Sequence, residues 1–133
     1  MIYVDSSAVA KLVFDEPESG AFLEYARHST LISSALTRTE VLRAVTRFDP
    51  ALSSRALAIV QHIEIVAITG AILESAAKQQ PPTLRTLDAI QLATALALEG
   101  EIATFISYDA RLLAAAAEAG LAVASPGVAV PGA

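Results

Sequence analysis

Apolar and polar positions along the chain switch between two periods. Short apolar runs closed by polar residues or turn formers predict strands at Ile2–Val4, ending at Asp5, and at residues 30–33, 64–68, 102–107 and 121–124. Between them, apolar positions three and four residues apart predict helices. Ser6 or Ser7 can cap a helix reaching about Phe14, and Pro17 suits the first turn of a second helix ending near His28, with Asp15 and Glu16 in the turn between. Thr37 opens a helix with Val41, Val45 and Phe48 on one face, stopped by Asp49 and Pro50. Further helices are expected from Ser53 to about His62 and from about Gly70 to Lys78. Residues 79–83, with Pro81 and Pro82, form a stiff linker. From Leu87 to Leu98 the pattern is apolar almost all round except for Asp88, Gln91 and Thr94, so that helix is expected to be buried before Gly100 stops it. Asp109 starts a last helix to about Ala119.

Strands alternating with helices call for a parallel sheet with crossovers packed on both faces. The expected fold class is therefore α/β, a three-layer α/β/α sandwich around a mostly parallel five-stranded sheet. The 133 residues fit one domain, read as residues 1–124, and the Gly- and Pro-containing residues 125–133 read as a loose tail.

Composition narrows the chemistry. Apolar residues make up 54% and aromatics only 5%, so Ala, Leu, Val and Ile must fill the core. No uninterrupted apolar stretch approaches the roughly 18 residues of a bilayer span, and Met1 leads straight into a strand rather than a secretory leader, so a cytoplasmic protein is expected. With no Cys and only His28 and His62, neither a disulfide framework nor a Cys/His zinc site can be built. A net charge of −5 argues against nonspecific coating of nucleic acid but allows a local basic rim around an acidic site.

Ligands of open α/β sheets gather beyond the carboxyl ends of the strands, where Asp5 and Asp109 fall after the first and fourth. Glu40 is expected in the first turn of the helix after strand two, and Asp88 near the start of the helix before strand four, its place relative to the sheet edge left open. Each has an ordinary structural use as well. Thr37-Arg38-Thr39-Glu40 matches a capping box, Asp109 suits an N-cap, and Asp88 suits a positive helix terminus. Asp5 fits such a use less well, since a carboxylate ending an apolar strand has no evident basic partner in the sequence. Taken jointly, two carboxylates about 4 Å apart repel by roughly 4 kcal/mol at an effective dielectric near 20. A cluster of them persists only with protons or cations, and oxygen-only ligands favour Mg²⁺ or Mn²⁺.

Four segments carry a resemblance: Ile2-Tyr3-Val4-Asp5-Ser6-Ser7-Ala8; Thr39-Glu40-Val41-Leu42-Arg43-Ala44; Arg85-Thr86-Leu87-Asp88-Ala89-Ile90-Gln91-Leu92-Ala93-Thr94-Ala95; and Ser107-Tyr108-Asp109-Ala110-Arg111-Leu112. In this order and over nearly the whole chain they resemble PIN-domain ribonucleases, in particular the VapC toxins of bacterial toxin-antitoxin pairs. The resemblance implies that Asp5, Glu40, Asp88 and Asp109 share one pocket holding one or two Mg²⁺ or Mn²⁺ ions, and that the protein cleaves RNA. Asp5 and Asp88 would be the main ligands, with Glu40 and Asp109 binding directly or through water and with Ser7 and Ser107 as hydrogen-bonding support. It further implies a homodimer and a VapB-like antitoxin that covers the pocket. Two positions depart from the family pattern: Ser107 stands where Thr is common, and Gln91 where His is frequent. Gln91 shares a helix face with Asp88, and a buried, satisfied amide is an equally good account of it. Arg38, Arg43, Arg85 and Arg111 lie close to the acidic segments; pairing with nearby acids is the commoner use of such residues, and contact with RNA phosphates the other.

Rival readings make different demands. Aspartyl-phosphate phosphatases need a second Asp two residues after the first, where Ser7 stands, and a receiver domain needs an acceptor Asp after strand three, where Ile68-Thr69-Gly70 stands. A noncatalytic PIN-like module that binds RNA or protein would be indifferent to chelation.

Overall fold

Successive residues of the two central strands point to opposite faces of one sheet. In the computed structural model, which describes residues 1–128, Ile2 and Val4 of β1 (Ile2–Val4) join one apolar cluster and Tyr3 joins another. In β4 (Thr104–Ile106) Phe105 and Ile106 divide in the same way. Strands buried on both faces need helices on both, which requires parallel pairing through crossovers. The remaining strands are β2 (Leu31–Ser34), β3 (Glu64–Val66) and β5 (Val123–Ala124). Their order is β3-β2-β1-β4-β5 and every pairing is parallel. The α/β sandwich expected from the sequence is the observed fold.

Helices α1 (Ser6–Val13), α2 (Ser19–Ala26), α3 (Ala35–Phe48) and α4 (Ser53–Gln61) cover one face. Val9, Val13, Phe22, Val41, Val45 and Val60 fill that layer. On the other, α6 (Thr86–Ala97) and α7 (Ala110–Glu118) pack through Leu92, Leu112 and Ala116 onto Tyr3 and Phe105. Helix α5 (Gly70–Ala77) lies against α6 through Ile72, Ala76, Ala89 and Ala93. The Tyr3 and Phe105 rings stack with centroids 5.3 Å apart, locking the two central strands together beneath the site. Among the described residues no helix is long and apolar enough to cross a membrane.

Several local expectations shift. The cap of α1 is Asp5 itself, not Ser6 or Ser7, since its carboxylate accepts the Ala8 N–H. Helix α2 starts two residues after Pro17, at Ser19. Helix α3 starts at Ala35 with Ser34 as its cap, so Thr37 and Glu40 do not form a capping box; Thr37 is buried inside the helix. The hydrophobic stripe of α3 ends at Val45, and Phe48 is 68% exposed. Helix α6 is buried from Ala89 to Ala95, whereas Leu87 is 48% exposed. Of the segment expected to be a loose tail, residues 125–128 are bound to the domain: the Ser125 hydroxyl donates to Ser107 O at 2.6 Å and the Tyr108 hydroxyl to Pro126 O at 2.7 Å. Residues 129–133 lie outside the described part.

Candidate active site

The chain path changes direction between β1 and β4. From β1 it moves outward to β2 and β3, then crosses to the other side of β1 to lay down β4 and β5. Crevices form at the carboxyl ends of the two strands flanking such a reversal, and here those ends carry Asp5 and the 107–109 turn.

Asp5 is only 3% exposed and its carboxylate accepts three hydrogen bonds. Oδ1 accepts from the Ser7 hydroxyl at 2.7 Å and the Ala8 N–H at 2.9 Å, while Oδ2 accepts from the Ser107 hydroxyl at 2.6 Å. Burial pushes its pKa up to about 6, against the opposing pull of the Ser107, Ser7 and Ala8 hydrogen bonds, with the Asp109 charge adding a smaller upward push. The two serines also accept: the Tyr108 N–H donates to Ser7 at 2.8 Å and the Asp109 N–H to Ser107 at 3.0 Å. Each therefore ties the carboxylate that follows β1 to the backbone of the β4–α7 turn.

Asp109 caps α7, its Oδ1 accepting from the Arg111 and Leu112 N–H groups at 2.9 and 3.2 Å. Its Oδ2 turns the other way and accepts from Arg85 Nη2 at 3.0 Å. Arg85 Nε donates to Asp88 Oδ2 at 3.1 Å in the first turn of α6. One guanidinium thus spans acids from two helices.

Glu40 sits in the second turn of α3, where its Oε1 accepts from the Ser6 hydroxyl at 2.5 Å and from Gln91 Nε2 at 3.4 Å. Gln91 is buried on α6 and oriented from below: the Tyr3 hydroxyl donates to its Oε1 at 2.6 Å, which leaves Nε2 to face Thr37 Oγ1 at 2.8 Å and Ser6 Oγ at 3.2 Å. Burial raises the Tyr3 pKa far above its ordinary value, so the phenol stays a donor. Beside Glu40 runs an open cleft of about 440 Å³ lined by Leu36, Arg43, Arg47, Phe48 and Leu87. The Arg47 guanidinium lies 4.9 Å from the centre of the Phe48 ring.

The structure thus brings Asp88 and Asp109 together at one cation and ties Asp5 to Asp109 through Ser107. Glu40 is tied instead to the start of α1 through Ser6, and among the described residues no three acids converge as a ready metal cage. The donor chemistry nevertheless suits a hard divalent cation, being carboxylate and hydroxyl oxygen only. Arg85 is the observation that matters here, because it shows that Oδ2 of Asp88 and Oδ2 of Asp109 both reach a single positive group. The sequence marks Ser6 and Thr37 only as possible helix caps, and nothing local marks a serine on one helix as partner of a glutamate on another. Gln91 left a signal, an amide on an otherwise apolar helix, as did Arg85, three residues before Asp88.

Comparison with known proteins identifies the family. The PIN domain model matches residues 2–119. Ribonuclease VapC47 of Mycobacterium tuberculosis is 36% identical over 133 residues, covering 96% of this chain and 98% of that protein. Among solved structures, the Mycobacterium tuberculosis toxin VapC20, described as cleaving the sarcin-ricin loop, superposes with a TM-score of 0.74 at 18% identity, covering 95% of this chain and all of that one. A toxin-antitoxin complex from Klebsiella pneumoniae superposes with a TM-score of 0.68 at 23% identity, covering 98% of each chain. The chain belongs to the PIN-domain family and, within it, to the VapC ribonucleases.

Proposed function

We propose that the protein is an endoribonuclease that hydrolyses RNA phosphodiester bonds with Mg²⁺ or Mn²⁺ and serves as the toxin of a VapBC-type pair. The observation that carries this reading is the joining of Asp88 and Asp109 by Arg85, with Asp109 tied in turn through Ser107 to Asp5 at the carboxyl end of β1. One or two divalent ions held there by Asp5, Asp88 and Asp109, with Glu40 reached through water, would supply a water of lowered pKa and a positive charge opposite the developing negative charge on phosphorus.

The protein's own part is orientation. Ser7, Ser107 and the Ala8 N–H fix Asp5 without using a charged partner, so its negative charge stays available at neutral pH. Ser6 and Gln91 hold Glu40 by Oε1, leaving Oε2 free to accept a proton from a water facing the site. Arg43 and Arg47 line the cleft next to Glu40, where an RNA backbone needs cationic neighbours, and Phe48 offers a ring on which a base can stack.

The antitoxin reading is supported by the family, and an apolar groove of about 550 Å³ lined by Leu12, Leu23, Leu31, Ile59 and Ile63 offers a second surface that a protein partner would cover. A homodimer and a cytoplasmic location belong to the same reading.

With antitoxin removed, the protein is expected to cut structured RNA in Mg²⁺ or Mn²⁺ and to stop in EDTA. Asp5→Asn is expected to lower cleavage at least a hundredfold, on the order of the losses seen when a metal ligand or its support is changed, with the circular dichroism spectrum retained. Equal cleavage by the variant or in EDTA rejects the mechanism, and RNA binding without cleavage under any metal condition returns the noncatalytic module.

A further inference from the structure

Arg85 occupies the N-cap position of α6 but makes no capping hydrogen bond with its side chain. That side chain is 73% exposed, yet its guanidinium is fixed at both ends, with Nε on Asp88 at 3.1 Å and Nη2 on Asp109 at 3.0 Å. The Asp109 contact does not serve a helix end, because the α7 cap uses the other oxygen of Asp109, while the Asp88 contact lies within the first turn of α6. What Arg85 binds is the pair of carboxylate oxygens left over for a cation.

A guanidinium has five N–H donors and no acceptor, so it cannot join a metal ion as a fellow ligand. Two positive groups competing for the same oxygens repel, and one of them must leave. Arg85 is the one that can, since its exposed head returns to water at little loss, as exposed ion pairs generally do. The two are coupled: the larger the fraction of molecules in which the arginine contacts are closed, the weaker the apparent affinity for the metal.

We propose that Arg85 is an internal counter-ion, closing the Asp88–Asp109 pair when no divalent cation is present and displaced when one arrives, so that it sets the cation affinity of the site. The inference rests on the metal-dependent reading above. It differs from a phosphate-contact role because it requires no RNA.

Titration of the full chain with Mn²⁺, reading free ion by electron paramagnetic resonance at low ionic strength, tests it without any activity measurement. Arg85→Gln is expected to bind Mn²⁺ roughly three- to tenfold more tightly than the parent, the scale set by two exposed ion pairs, and Arg85→Lys to fall between them. In EDTA, Arg85→Gln is expected to melt below the parent, and that decrement to vanish in an Asp88→Asn, Asp109→Asn background. If the parent binds Mn²⁺ and Arg85→Gln binds it no more tightly, the counter-ion role is wrong and the metal site stands. If neither binds Mn²⁺ at millimolar concentration, the metal-dependent reading fails and takes this inference with it.

Discussion

Asp5 shows how a single side chain can hold a charge that its surroundings resist. Burial raises its pKa to about 6, and hydrogen bonds from Ser107, Ser7 and Ala8 only partly offset that rise. An acid whose pKa is higher folded than unfolded binds its proton more tightly in the native state, so its stabilising contribution is complete below about pH 4 and is lost as pH rises through 6. The metal-free protein is therefore expected to lose stability relative to Asp5→Asn between about pH 4 and 7, by an order-of-magnitude 2–3 kcal/mol, and to change little above that. Urea unfolding of both proteins in EDTA across this range checks the sign; a parent that gains on the variant would contradict it. Asp5 was legible in the sequence because a carboxylate closing an apolar strand is anomalous by itself. The Tyr3–Gln91–Glu40 chain was not, because its members lie on β1, α6 and α3, and although Gln91 and Glu40 each drew notice, nothing in the sequence joins them to each other or to Tyr3.

Where elements begin and end decides which way these side chains face. Helix α3 was expected to open at Thr37, since the Thr-x-x-Glu pattern is a good local cap; β2 instead runs directly into the helix and Ser34 takes the cap, three residues earlier. That earlier start puts Glu40 in the second turn, where it faces Ser6 instead of its own helix end. The sequence signals for α4, α5 and α7 were less ambiguous, and those helices fall within a residue or so of expectation. Helix α7 ends in a left-handed turn at Gly120, with φ of 99°, which lets the Gly120 N–H reach Ala117 O and the Leu121 N–H reach Ala116 O, each at 3.0 Å. A side chain there would meet no neighbour within 4 Å, so only the backbone conformation opposes one. Gly120→Ala is expected to lower stability by about 1 kcal/mol, read by thermal melting, with RNA cleavage unchanged; a neutral or stabilising result would mean the turn relaxes.

At the level of the whole molecule the sequence implied a parallel α/β sheet but not its order. Whether the fourth strand joins β3 or returns to β1 depends on pairing across about a hundred residues, and no local pattern records it. The structure resolves this with Tyr3 against Phe105, two fully buried rings on neighbouring strands. Phe105→Ala is expected to remove about 3–5 kcal/mol, a large part of the roughly 5–15 kcal/mol that holds a domain together. Denaturant midpoints measure it, and a loss under 1 kcal/mol would show that the rings are not what clamps the central strands. Asp5 follows Tyr3 by two residues and Ser107 follows Phe105 by two, so the candidate site and the cohesion of the sheet share one seam.

That seam has a consequence for the protein while it is being made. Asp5 is synthesised well before the hydroxyl that completes its hydrogen bonding, which comes from Ser107, 102 positions later. An unfinished polypeptide consequently carries the acid without the pocket. The surroundings of the acid are complete only once β4 has been made and has paired with β1.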